Sequence, residues 1–138
     1  MSLAREAAAR GEVPVGAVIV RDGKIIASSH NLTETNNDPT AHAELLAIRS
    51  ACEILASPRL PDCDLYVTLE PCSMCATAIS FARIRRLYFG AYDTKGGGVE
   101  HGPRIFSQPT CHHAPEIYGG IEESACSEIL KKFFAERR

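Results

Sequence analysis

No apolar run in the 138 residues approaches the ~20 needed to cross a bilayer; the longest, Val13–Val20 and Ala76–Ala82, are short and interrupted. A membrane-spanning helix is thereby excluded. Neither sign of charge dominates: 15 Lys and Arg against 17 Asp and Glu leave a formal charge of −2, too little for a charge-driven disordered chain or a globally basic wrapper of nucleic acid. A polyanion would have to meet a local patch. The start, Met1 to Glu6, lacks the apolar core of a secretory leader, so export is not expected and the cysteines are expected to live reduced in the cytoplasm. Six cysteines in this length also fall below the density of a disulfide-built scaffold, which turns attention to metal binding or catalysis. Repeats, low-complexity tracts and linkers are missing too, so residues 1–138 read as one domain, with 45% hydrophobic residues to build its core.

Local patterns give the elements. Ala4–Arg10 is rich in helix formers and Gly11 closes it. Val13–Val20 reads as a strand, Asp22-Gly23 as a hairpin turn and Lys24–Ser29 as the return strand. Asn31–Pro39 is a polar loop, after which Thr40 caps a helix with apolar Leu45, Leu46, Ile48, Ala51, Ile54 and Leu55 at helical spacing, ended by Ser57-Pro58. Asp64–Leu69 is a third strand, Ser73–Ala82 a buried helix and Leu87–Ala91 a fourth strand. Asp93–Pro115 loses regularity, as long loops with a function do. Glu116–Tyr118 is a short last strand, and Glu122–Arg137, apolar at Ala125, Ile129, Leu130, Phe133 and Phe134, an amphipathic terminal helix. Alternation of strands and helices implies one mixed sheet covered by helices.

Two motifs, His42-Ala43-Glu44 and Pro71-Cys72-Ser73-Met74-Cys75, fall where a loop or strand feeds a helix. Cysteines three apart share a helix face and can grip one ion, and the free N–H groups of a first turn favour thiolate over thiol. Two thiolates and one imidazole suit tetrahedral zinc and leave a fourth position for water, the mark of a catalytic site. They also cancel the charge of Zn²⁺, so a base must help make and use hydroxide; Glu44, two residues from His42, is that base. Taken singly, a Cys-x-x-Cys is also half of a structural zinc knuckle and a helical histidine is also a core residue. Cys52, Cys63, Cys111 and Cys126 lack partners at ligand spacing and read as small buried hydrophobes. His30, His101, His112 and His113 read as solvent or hydrogen-bonded loop positions.

His-x-Glu followed one helix and one strand later by Pro-Cys-x-x-Cys is the pattern of the zinc nucleobase deaminases. Around it the sequence resembles the cytidine deaminase-like superfamily, and within it the bacterial tRNA wobble adenosine deaminases. The likeness runs from Gly11–Val18 through Asn37–Glu44 and Tyr66–Cys75 to Arg83-Ile84, Phe89–Ala91 and Phe133-Phe134. The resemblance implies a three-layer α/β/α sandwich with a five-stranded mixed sheet, a homodimer, and adenosine-to-inosine conversion at the wobble position of a tRNA anticodon stem-loop. It also implies one Zn²⁺ per subunit on His42, Cys72 and Cys75, Glu44 as the proton shuttle, and no organic cofactor. Asn31, eleven residues before His42, matches the asparagine that holds the flipped purine. Phe134 matches an aromatic stacking near the target nucleotide, Asp93 a contact to its ribose or backbone, and Lys131, Lys132, Arg137 and Arg138 form a basic end that would meet RNA. Backbone N–H groups near Ala43 and Cys72, at helix starts, are expected to be free to hold the ring or the hydroxide. The two motifs are shared with guanine, cytosine and cytidine deaminases, so a free-base or nucleoside substrate is the alternative, and a non-enzymatic structural zinc module the second. The chain departs from the family in a short first helix, which reads as a late start, and in Gly96–His113, where Cys111-His112-His113 would suggest a second metal but offers no chelating spacing.

Overall fold

A computed structural model describes residues 1–137 of the chain. Helix α1 (Ser2–Ala9) ends at Gly11, whose φ of +77° is the left-handed conformation that glycine adopts without cost. Strands β1 (Gly16–Arg21) and β2 (Lys24–His30) meet through Asp22 and Gly23, both at positive φ as a tight hairpin turn requires. The expected first strand is shortened: Val13, Pro14 and Val15 stay outside the ladder. Proline has no N–H to donate to a sheet, and here Val15 N–H bonds back to the Val13 carbonyl at 2.8 Å.

Helix α2 (Ala43–Leu55) starts three residues later than its expected cap. His42, in an extended conformation, is the N-cap, while Thr40 gives its N–H (2.9 Å) and hydroxyl (2.7 Å) to Asp38 Oδ1. The aspartate offers Thr40 a closer partner than the helix start. The buried stripe of α2 is Ala43, Glu44, Ala47, Ile48 and Ala51, and Ile54 lies on the open side. Small residues on that stripe let the helix settle close to the sheet. Strand β3 (Asp64–Leu69) and helix α3 (Ser73–Ala82) have the bounds expected from the pattern; β4 spans Arg86–Ala91, β5 Glu116–Tyr118 and α4 Glu123–Ala135, with a 3₁₀ turn at Ile105–Ser107. On α4 the inward residues are Cys126 and Phe133, and Ala125 faces out.

The five strands lie in the order β2-β1-β3-β4-β5, β1 antiparallel to both neighbours and β3, β4 and β5 parallel. Helices α2 and α3 pack together on one face and α1 and α4 on the other, the expected three-layer mixed α/β sandwich. Leu65, Leu87, Phe89, Ile19 and Ile79, fully buried between sheet and helices, each contribute about 1.5–3 kcal/mol of apolar burial. Gly16 pairs with His30 and Ala17 with Val67, so the end of β2, the start of β1 and the end of β3 lie side by side. Both chemical motifs leave the sheet at that end.

Candidate active site

His42 and Cys72 occupy equivalent places. Each is an N-cap in extended conformation, and each carbonyl accepts the first intrahelical bond, from Leu46 and Ala76 respectively. Cys75 follows within the first turn of α3 and is fully buried. Sequence positions thirty residues apart are thus converted into neighbours because two helices begin at one end of one sheet. His42 Nδ1 stands 3.6 Å from Cys72 Sγ and 3.6 Å from Cys75 Sγ, and the three ligand atoms all lie within 4.8 Å of one another. Zinc bonds of about 2.3 Å to sulfur and about 2.0–2.1 Å to nitrogen at a tetrahedral angle span about 3.6 Å between the two donors, so the donor set fits this metal. Among the described residues it is the one such group of three or more His, Cys, Asp or Glu side chains.

The electrostatics of the cluster are those of a shared negative charge. Cys72 is pushed down to about 4, first by a hydrogen bond from the Cys75 thiol and then, against burial, by His42. Cys75 is pushed up, because the Cys72 sulfur holds its proton and burial disfavours a second thiolate. The Cys72 sulfur raises His42 in turn, against the desolvation that favours the neutral ring. Glu44, second residue of α2 and 4% exposed, is pushed up to about 7 chiefly by burial, a Cys72 charge adding in the same direction. Its own backbone N–H, the His42 ring and the Cys75 thiol act against that rise.

Around this centre the other expected residues fall out differently. Asn31 follows β2, is 8% exposed, and its Oδ1 accepts the Ala43 N–H at 2.8 Å. The Ala43 N–H, expected to be free, is therefore committed: the first turn of a helix leaves its donors without intrahelical partners, and the nearest acceptor takes this one. The same bond fixes the amide, since only its oxygen can accept, and turns the Asn31 NH₂ into the outward donor. Asp93 lies just beyond β4, with Oδ1 accepting Lys95 N–H (3.1 Å) and Gly96 N–H (2.8 Å) in a tight turn. Phe133 does the packing on α4, and Phe134 is left 49% exposed. Lys131, Lys132 and Arg137 are exposed; the Arg137 guanidinium sits 3.6 Å over the Phe133 ring. Arg138 lies outside the described residues. The second-metal possibility is resolved by hydrogen bonding: Cys111 Sγ donates to the His113 carbonyl, and His113 Nε2 donates to the Ile84 carbonyl at 2.7 Å.

Three buried carboxylates escaped the sequence reading; Asp64 pairs with the Arg85 guanidinium, and the other two gather backbone donors. Glu12 accepts the N–H of Glu34 and Thr35 and the hydroxyls of Thr33 and Thr35, holding the loop that begins at Asn31. Glu70 accepts the N–H of Asp93, Val99, Glu100 and His101, and the His101 ring at 2.8 Å. The available signal was an acid flanked by residues that belong inside: Glu12 before Val13-Pro14, and Glu70 between Leu69 and Pro71.

A family model described as MafB19-like deaminase matches residues 1–138. A protein of Agrobacterium fabrum named tRNA-specific adenosine deaminase is 65% identical over 135 residues, covering 98% of this chain and 89% of the relative. A solved structure from a study of A-to-I editing by tRNA:A34 deaminases at the wobble position superposes with a TM-score of 0.92 at 65% identity, covering 94% of each chain. The guanine deaminase of Bacillus subtilis superposes with a TM-score of 0.67 at 38% identity, covering 99% of this chain and 87% of that one.

Proposed function

The chain belongs to the MafB19-like deaminases and, among them, to the tRNA-specific adenosine deaminases, and from that membership we propose that it converts adenosine to inosine at the wobble position of a tRNA anticodon, with Glu44 as its proton shuttle. The observation that carries the reading is the cluster of His42 Nδ1, Cys72 Sγ and Cys75 Sγ within 4.8 Å, with buried Glu44 on the same helix as the imidazole. Three ligands from two helix starts are the donor set of a catalytic zinc, which a fourth protein ligand would close. Zinc held there supplies Lewis acidity that makes a water nucleophilic near neutral pH.

The chain's own groups account for the rest. Glu44 takes a proton from the attacking water as oxygen bonds to C6 of adenine and gives it to N1; it then takes the second proton from the new C6 hydroxyl and passes it to the amino group as the C6–N bond breaks, the C6 carbonyl forms and ammonia leaves. A carboxylate raised to about 7 is matched to taking and giving protons near neutral pH. The Asn31 NH₂, oriented by its bond to Ala43, donates to a purine ring nitrogen, and the buried Ala43 offers that ring an apolar wall. An anticodon-loop base splays out of its stack at low cost, which a base in a duplex does not. Asp93 meets the ribose or backbone of the target nucleotide, Phe134 stacks beside it, and Lys131, Lys132 and Arg137 line the approach to phosphates, so binding weakens with salt.

Pairing with a second copy is supported by the apolar surface of α3, where Phe81 is 67% exposed beside Met74, Ala78, Leu45 and Ile105. The thiol state supports a reducing, cytoplasmic setting: all six cysteines are free. The test offers the purified protein an anticodon stem-loop with wobble adenosine, guanine, cytosine and cytidine in parallel. Inosine in the stem-loop with stoichiometric ammonia is expected. Ammonia from guanine alone would move the chain to the activity of its Bacillus relative, and a zinc edge spectrum with four protein ligands would leave a structural module.

A further inference from the structure

We infer that Glu70 is a positioning residue for substrate: it clamps the loop 93–101 against the Cys72 turn, so that the loop's outer residues meet the RNA in a fixed place. The inference rests on the tRNA deaminase reading for the identity of what the loop meets, and on the following geometry for the clamp itself.

The Glu70 side chain is wholly buried, yet both its oxygens are acceptors that need partners. It survives there because donors surround both oxygens. Oε1 accepts Asp93 N–H at 3.1 Å and His101 Nδ1 at 2.8 Å; Oε2 accepts the consecutive N–H groups of Val99, Glu100 and His101 at 3.2, 2.9 and 3.1 Å. Three successive backbone N–H groups turned to one oxygen make a concave anion site, here filled by a side chain of the same protein. The carboxylate therefore holds both ends of the loop at once, residue 93 and residues 99–101.

The loop so held lies directly on a metal-ligand turn. Gly98 N–H donates to the Pro71 carbonyl at 2.8 Å, and a Cβ at Gly98 would stand 2.6 Å from Ser73 N and 2.8 Å from the Cys72 carbonyl carbon. A Cβ at Gly97 would collide with Glu70 Oε2 itself. Gly98 thus lets backbone pack directly on the Cys72–Ser73 backbone, and Gly97 lets the loop close onto the Glu70 carboxylate. What the clamp leaves outside is the polar turn Asp93–Gly96, with Asp93 Oδ1 tied to Lys95 and Gly96 and Tyr92 41% exposed beside it. Glu12 too holds a loop by converging donors; Glu70 differs in that its loop rests on the Cys72 turn through the Gly98–Pro71 bond and carries the polar turn Asp93–Gly96.

Glu70→Gln replaces one acceptor oxygen by an NH₂ that opposes N–H donors. It is expected to raise KM for the anticodon stem-loop about tenfold, with kcat within about threefold of wild type and one zinc retained. Glu70→Asp, which keeps the charge, restores part of the KM. Asp93→Asn costs binding in the wild type but adds little in the Glu70→Gln background, because there Asp93 has already lost its place. Hydrogen exchange at Asp93, Val99, Glu100 and His101 quickens by about tenfold in Glu70→Gln while α3 is unaffected. Should Glu70→Gln fail to fold, His101→Ala removes one donor from a partly exposed side chain and is expected to raise KM about threefold. An unchanged KM, a fall in kcat with KM unmoved, loss of zinc, or full additivity with Asp93→Asn overturns the inference. If the wild type leaves the stem-loop untouched, the proposed substrate is wrong. The exchange rates then decide the clamp alone: unaltered rates overturn it, and quickened rates uphold it.

Discussion

Glu44 and Glu70 are both buried, both within two residues of a member of the His42, Cys72, Cys75 cluster, and opposite in character. Glu44 sits in a donor-poor wall at the start of α2; burial dominates and pushes it up to about 7. At Glu70 burial pulls the same way, but the His101 ring and the N–H groups of Asp93, Glu100 and Val99 more than offset it, and the carboxyl titrates below the ordinary value of 4.5. Residue type and burial are therefore poor guides to role, whereas the count of donors aimed at the oxygens separates the carboxylate we propose to move protons from the one that holds backbone.

Four substitutions probe this contrast, in falling order of effect. Cys75→Ala removes the buried thiol of the proposed ligand set; metal analysis should find one zinc per wild-type chain and close to none in the variant, with turnover undetectable. Intact zinc would dissolve the ligand set. Glu44→Gln keeps size, fold and zinc but is expected to cut turnover by about 10⁴-fold in a stem-loop inosine assay. Substantial residual turnover would place Glu44 with Glu70 as a structural acid. Phe134→Ala lies in neither region and should raise KM about fivefold by loss of one stacked base, at unchanged kcat and thermal midpoint. A shifted kcat would mean that the two regions do not divide chemistry from binding as described.

The smallest effect concerns Glu12, a second donor-rich acid, which binds residues 33–35 and none of the clustered side chains. Burial raises it, but the Thr35 hydroxyl and N–H, with Glu34 N–H and the Thr33 hydroxyl, outweigh burial and hold it below 4.5. Because its folded-state value is the lower one, its stabilisation is whole above about pH 4.5 and fades as pH falls through the folded value. Thermal unfolding should thus show a midpoint about 5 °C lower for Glu12→Gln at pH 7, the gap narrowing toward pH 3. A gap that is constant with pH would show that Glu12 acts through shape and not charge.

The clustering of His42, Cys72 and Cys75 near buried Glu44 was legible in the chain, and the convergence of donors on Glu70 was not. His42, Glu44, Cys72 and Cys75 are set by short spacings at helix starts, and β3 and α3 by local periodicity, so each could be read within a window of a few residues. Thr40 was misread as a cap because Asp38, two residues back, competed for it, and Val13–Val15 as strand because β-branched composition hid the missing donor of Pro14. Glu70's five donors lie 23 to 31 residues further on, beyond any local pattern.

The order of residues alone set two local spacings, His42 with Glu44 at one helix start and Cys72 with Cys75 at another, because a first helical turn imposes them wherever the helix goes. Folding decided everything that depends on distant segments meeting. It took the Ala43 N–H for Asn31, left Phe134 outside while Phe133 went in, and surrounded Glu70 but not Glu44 with donors. The reason is that a proton's affinity for a carboxylate is fixed by its nearest few ångströms, and those are furnished by chain that the sequence places far away.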